Sequence, residues 1–404
     1  MLKNEKKLLI CEEALIDYSG HFHSWINSIK SINEDSGLEV FIAGNVSVRK
    51  DLASKLKVIP AFNVNSWDNN RICKWPKWRR ALEVLIHNWR TFSETKRVLK
   101  KIGKVDMVLF TAVRQNHLLG IKILTLWGLG RYFNKLSSYL LTSYAIYNSD
   151  FTKYTFSKKT LLFSYLFKSF KSLVNKGKVN FLCDSQITLD EYKKLTGLKI
   201  KLMPSPISDN QFKESKLTNK KNTTFSFLGC ASWEKGIDTF QDAIILILKE
   251  NIKNINFVIQ WNKELFSPKS GKILLKEELI NHKNVRIIKK TLNEKEYQNE
   301  LLMADFMVLP YRKFVYKSRL SGVAIESAVN GIPIIATDNT WLSWCIDEFA
   351  SGIKIQENNP INLAEKIIFG NKNKKFFKDE AMMRSSIAKS YNSKERYLSL
   401  LWND

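Results

Sequence analysis

YKSRLSGVAIESAVNGIPIIATD, Tyr316 to Asp338, is the stretch on which the reading of the whole chain turns. Its end, GIPIIAT, has the continuous apolar character of a strand buried on both faces. Just upstream, DFMVLPY (305–311) reads as a second strand of the same kind. Between them VAIESAVN has the length and composition of a short helix, opened by Ser321-Gly322. The first N–H groups of such a helix, at Ser321, Gly322 and Val323, have no partner within it and suit a phosphate. Strand, anion-binding turn, helix and strand make one parallel βαβ unit. Glu326 lies one turn into the helix, where a carboxylate accepts two hydroxyl hydrogen bonds from a ribose. Its apolar neighbours Val323, Ala324, Ile325 and Ala328 argue against a merely solvated glutamate.

Working outward, the same alternation fills the chain. In the second half TTFSFLG, INFVIQW and NVRIIKK read as further strands with helices between them; in the first half KKLLICE, LEVFIAG, KVIPAF, VDMVLFTAV, SSYLLTSYAI and VNFLCDS do so. Two such series in tandem predict an α/β protein of two Rossmann-like domains with parallel sheets. The polar run SDNQFKESKLTNKKNTT (208–224) is the natural linker, which gives domains over 1–207 and 208–385. The 404 residues are enough for two cores. In FSFLGCASWEKGIDTF (225–240) a strand ends at Gly229, and Lys235-Gly236 opens the next helix, a second place where backbone N–H groups and one lysine can approach an anion.

Hydrophobic residues are 44% and charged residues 25% of the chain, the balance of a folded globular protein. The N-terminal apolar run is broken at once by Glu12, Glu13 and Asp17 and reads as a strand rather than a signal peptide. HLLGIKILTLWGLG is too short to span a bilayer. Five cysteines without a CxxC pair suit a reducing compartment, and a cytoplasmic location is expected. The net charge is +25, and it is uneven: residues 1–207 hold 34 Lys+Arg against 16 Asp+Glu, residues 208–404 hold 30 against 23. The first half is built to face something anionic, whether a lipid surface, a nucleic acid or a phosphorylated acceptor. Residues 71–104 carry eleven Lys/Arg and two Glu with Trp75, Trp78 and Trp89 among them, a composition suited to the inner face of a membrane. In residues 151–178 the stripe Phe163, Leu166, Phe167, Phe170 and Val174 has helical spacing and is expected to pack on the sheet.

Taken in order, FLGCASWEKG, ADFMVLPY, SGVAIESAVNGIPIIAT and ASGIKI resemble the donor-binding half of the GT-B glycosyltransferases of family 4, the group 1 nucleotide-sugar transferases. The resemblance is specific over about residues 225–355 and looser in the first half, at GHFHSW (20–25) and FLCDSQITLDEYKKLTGLKIKLMPSPI (181–207). It implies two Rossmann-like domains facing across a cleft that closes on the donor, and a C-terminal helix, 386–404, returning toward the first domain. It implies a nucleotide-sugar donor bound by Gly20, Gly229, Lys235, Arg319, Ser321, Gly322, Val323 and Glu326, with Glu326 on the ribose. It also implies His117 at the catalytic centre. Of the other histidines, His21 shares the turn of Gly20, and His23, His87 and His282 are given no role.

The family motif places glutamates eight residues apart; here Ser318 holds the first position, near the transferred sugar, and is carried with His117 as a catalytic candidate. Cys230 stands where the family has an arginine on the diphosphate, and Arg312, Lys317 or Arg319 are the cations available to replace it. No Asp-x-Asp cluster suits a metal, so neither metal nor other cofactor is expected. The implied reaction is retaining sugar transfer to a glycan or lipid-linked acceptor in surface polysaccharide assembly. Two alternatives stand beside it: a nucleic-acid-modifying transferase of the same fold, and a non-catalytic nucleotide-sugar scaffold.

Overall fold

Lys6–Cys11 (β1) buries Leu8, Leu9 and Ile10 completely, as a strand covered on both faces must. In this computed structural model, which describes residues 6–17, 22–30, 37–66, 75–207, 221–268 and 271–403, β1 is an interior strand of a seven-stranded sheet. The other strands are Leu38–Asn45 (β2), Val58–Phe62 (β3), Val105–Phe110 (β4), Phe133–Tyr139 (β5), Val179–Cys183 (β8) and Ile200–Leu202 (β9). Ile146–Tyr147 (β6) and Tyr154–Thr155 (β7) pair with each other outside the sheet. The order is β3-β2-β1-β4-β5-β8-β9 and every pairing is parallel. Chain direction across the sheet therefore reverses between β1 and β4, and the loops leaving these two strands diverge there. The expected strand SSYLLTSYAI is only partly one: β5 ends at Tyr139, and the Ser143 hydroxyl leaves the sheet to donate to Glu191 at 2.5 Å.

The second unit holds Thr223–Phe227 (β10), Ile255–Gln260 (β11), Val285–Ile288 (β14), Phe306–Leu309 (β15), Ile334–Thr337 (β16) and Gly352–Ile355 (β17). They form a parallel sheet in the order β14-β11-β10-β15-β16-β17, with its own reversal between β10 and β15. An antiparallel hairpin, Leu265–Ser267 (β12) and Gly271–Ile273 (β13), lies outside the sheet. The sheet and its helices bury Phe225, Phe257 and Phe306, with Phe225 and Phe306 stacked 5.1 Å apart. At the start of β15 the buried Asp305 meets Lys378 at 2.9 Å and Lys374 at 3.1 Å and accepts the Thr224 N–H at 2.9 Å, which ties the Lys374–Tyr391 helix to the sheet.

The chain divides into Met1–Ser208 with Ser393–Asp404, and Asp209–Asn392. The Lys374–Tyr391 helix runs through position 386, and the terminal helix of the first unit is Lys394–Trp402. Its Tyr397 and Leu401 are fully buried in the first unit's core, and Trp25 packs edge-on to both Tyr397 and Tyr139. The stripe expected to face the sheet does so, with Phe167, Phe170 and Val174 in the core and Phe163 and Leu166 against it. The basic segment is largely one helix, Lys77–Ile102, begun at Pro76; its residues 71–74 lie outside the described part. Among the described residues no helix is long and apolar enough to cross a membrane.

Candidate functional site

At the reversal point of the second sheet, the loop after β10 and the helix after β15 come together. Gly229 has φ +87°, a conformation in which a side chain is strained, and a Cβ there would lie 3.2 Å from the Lys235 amine and 3.4 Å from Val323. Gly229, Lys235 and the first turn of the Gly322–Val329 helix thus face one spot at the carboxyl ends of adjacent strands. The loop is held from behind by Gln260, which accepts the Gly229 N–H at 2.8 Å. The turn is closed by Gly236, whose φ of +69° and whose approach to the Pro310 carbonyl, 2.1 Å from where a Cβ would be, leave no room for a side chain. Ser321 is the N-cap of the Gly322–Val329 helix and is buried, whereas the space in front of Gly322 is open.

Lys235 is half-buried, 5.6 Å from the centre of the Tyr311 ring. Burial, with the positive charges of Arg319 and Lys263 adding to it, brings its amine down to about 8. A lysine so placed gains most from an anion that restores its charge. Arg319 is exposed over the Tyr316 ring. Glu326 is half-buried, and its Oε2 accepts the Tyr297 hydroxyl at 2.6 Å. Burial raises its carboxyl to about 7 despite that hydrogen bond. Ser318 is half-buried on the loop before this helix, between Lys317 and Arg319.

One of the three cations proposed to replace the missing arginine is committed elsewhere. Arg312 is buried; it ion-pairs with Asp238 at 2.5 Å, donates to Asn358 at 2.9 Å and to the Trp233 carbonyl at 3.0 Å, and stacks on the Trp233 ring. It fastens the loop rather than facing the open side. Cys230 is exposed. Gly20 and His21 lie outside the described residues.

The first unit carries its own cluster at the reversal of its sheet. Glu13, just past β1, receives His87 Nε2 at 2.9 Å and His117 Nε2 at 3.2 Å, all three buried. Burial works to raise Glu13, and the two imidazoles outweigh it, holding the carboxyl well below the usual range. Glu12 beside it has no such partners, and burial carries it up to about 8 against hydrogen bonds from Thr111 and the Ala14 N–H. The ligand atoms of Glu13, His87 and His117 are close enough to surround one ion. However, His117 Nδ1 accepts the Arg114 N–H at 3.1 Å, so the neutral ring carries its proton on Nε2 and has no lone pair there for a metal. The arrangement reads as two imidazoles ordered on a carboxylate. His117 is thus a buried second member of the cluster, while His87 reaches the wall of a cavity of about 660 Å³ within this unit.

Glu13, His87, Gln260, Lys263 and Tyr297 were not singled out from the sequence. Glu13 had a signal, its place at the carboxyl end of an apolar strand; the others have none in their local pattern.

Residues 208–389 match the family model described as glycosyl transferases group 1. No curated protein matches the chain in sequence. Among solved structures the chain is similar to a glycosyltransferase from Rickettsia africae, at 15% identity and TM-score 0.64 over 100% of both chains. It is similar to Anabaena Alr3699/HepE solved with UDP-glucose, at 12% identity and TM-score 0.61 over 98% of both chains. It is also similar to WaaG, a glycosyltransferase involved in lipopolysaccharide biosynthesis, at 12% identity and TM-score 0.60 over 98% of this chain and 100% of that one. These likenesses show the fold, which is GT-B.

Proposed function

From the match of residues 208–389 to the group 1 glycosyl transferases, we propose that this chain is a glycosyltransferase of family 4 that moves a sugar from a nucleotide-sugar to a glycan acceptor. The observation that carries this is the convergence of Gly229, Lys235 and the Gly322–Val329 helix start on one spot, with Glu326 one turn further along. The donor diphosphate lies against the Lys235 amine and the N–H groups of Ser321, Gly322 and Val323, with Arg319 on its exposed side. The ribose hydroxyls donate to the Glu326 oxygen that Tyr297 leaves available.

Transfer is retaining and metal-independent. The bond from the anomeric carbon to the diphosphate oxygen breaks with its electron pair on that oxygen, whose growing charge Lys235 and the helix N–H groups stabilise. The acceptor oxygen bonds to the same face of the sugar, and its proton passes to the departing diphosphate. Ser318 is assigned to the sugar in place of a carboxylate, and His117, ordered on Glu13, is the catalytic candidate of the first unit. The acceptor is membrane-proximal or lipid-linked, a reading supported by the basic first half and in keeping with the lipopolysaccharide role of WaaG. It places the protein at the cytoplasmic face of a membrane, in polysaccharide assembly.

The test is thermal stabilisation by a panel of UDP-, GDP-, ADP-, CMP- and dTDP-sugars, since a ligand at 100 times its Kd adds about 2.7 kcal/mol to the folded state. One nucleotide should raise the Tm of the wild type and not of Glu326→Ala. No shift with any donor would overturn the proposal and favour a scaffold that has lost its ligand, for which Ser318 and Cys230 are the motive.

A further inference from the structure

The 660 Å³ cavity of the first unit is lined by cations from three separate elements: Lys77 and Arg80 from the Lys77–Ile102 helix, Arg114 from the loop after β4, and Lys159 from the Lys158–Lys168 helix. Among the described residues the one acid lining it is Glu83, and that carboxylate already takes Arg90 at 2.9 Å. Lys77, Arg80 and Lys159 are exposed and enter no ion pair among the described residues. Like charges gathered in a concave site raise its potential and attract an anion. Its volume falls within the usual range for small-molecule sites of about 300 to 1,000 Å³.

The same two helices also carry side chains of the opposite character. Trp78, Leu82 and Leu85 on the first helix and Leu161 and Leu162 on the second are exposed. Trp78, Leu82 and Leu85 follow the cavity residues Lys77, Ala81 and Val84, and Leu161 lies two residues past Lys159, so the helices that supply the cationic lining also carry exposed apolar side chains. His87, ordered on Glu13, stands in the wall.

We infer that this cavity is the acceptor site and that it takes an acceptor bearing a phosphate monoester or diphosphate, whose anionic oxygens meet Lys77, Arg80, Arg114 and Lys159. This rests on the glycosyl-transfer reading for the word acceptor, but the anion site stands on the cavity itself. The phosphoryl group can belong to a lipid, whose chain would leave over the exposed apolar side chains of the two helices, or to a soluble phosphorylated sugar.

The experiment is calorimetric titration of the full chain with inorganic pyrophosphate, farnesyl diphosphate and glucose 1-phosphate. Lys235→Ala is the background, so that the donor-type site does not answer. Binding is expected, and Lys77→Ala, Arg80→Ala and Lys159→Ala together should weaken it at least about tenfold, the loss of one charge-assisted contact. All three side chains are exposed, so the variant should keep the Tm of its parent. Tighter binding of farnesyl diphosphate than of glucose 1-phosphate identifies the lipid source, and the reverse order the soluble one; both support the site. No binding of any probe, or equal binding by the triple variant, overturns it. A chain that binds pyrophosphate here yet shows no thermal shift with nucleotide-sugars would keep the anion site and lose the transferase reading, so the two failures are told apart.

Discussion

Lys235 sits where burial and two neighbouring cations work against its charge. Its folded value of about 8 lies below the ordinary 10.5. Between those two pH values the unfolded chain holds a proton that the folded chain has released, so this group's contribution to stability improves as pH rises through that window. Ligand binding has the opposite sign, because a bound diphosphate needs the charged amine. Because Glu326 accepts the ribose best when ionised, above about 7, and Lys235 holds the diphosphate only when charged, below about 8, nucleotide-sugar affinity is expected to rise toward pH 7, peak between about 7 and 8, and fall above that by as much as about tenfold per unit. Titrations from pH 6.5 to 9.5 check this, with Lys235→Ala weak and lacking the fall above pH 8; a wild-type profile without that fall would remove the lysine from the site. Lys235 and Glu326 were legible because each sits in a short motif at a strand end. Tyr297 was not, since it reaches Glu326 from 29 residues away on another helix, and neither was the Glu13–His87–His117 cluster, whose members meet only when β1 and β4 pair.

At the scale of the element, the loop between β15 and the Gly322–Val329 helix depends on one side chain pinned at its root. Arg312→Ala leaves Asp238 without its partner and the Trp233 carbonyl without a donor, a loss of about 2 to 4 kcal/mol for a pair of this burial, read in urea denaturation. Arg319→Ala, on the exposed part of the same loop, should leave the denaturation midpoint nearly unchanged, within about 0.5 kcal/mol, and weaken donor binding. Equal stability losses in the two variants would contradict the division of labour between them. The central parallel strands were readable because burial on both faces writes a continuous apolar run into the sequence. The β12–β13 hairpin and β6–β7 were not. They are two or three residues long and partly exposed, and such ladders leave no periodic signal.

For the whole molecule, the excess of positive charge in the first half coincides with exposed apolar side chains on the Lys77–Ile102 helix. Trp78 and Trp89 are 69% and 59% exposed there, with Leu82 and Leu85 between them. Such a face is suited to the boundary of an anionic bilayer. The protein should float with vesicles containing phosphatidylglycerol at 50 mM salt and less at 500 mM, as screening removes the charge term. Trp78→Ser with Trp89→Ser should reduce flotation further, and no flotation at low salt would refute the membrane reading. The division into two α/β units was readable from the tandem strand series. The return of the last residues to the first unit was expected only from the family resemblance, because a nine-residue helix carries no mark of which core it will join. That return has a consequence for synthesis. Tyr397 and Leu401 complete a core whose other members are translated some two hundred residues earlier. At the usual 5 to 20 residues per second the ribosome takes roughly 10 to 40 s to cross the intervening unit. Throughout that interval the nascent first unit exposes the groove that Tyr397 and Leu401 will fill, so a change in the Lys394–Trp402 helix would be felt in a core made almost wholly from the other end of the sequence.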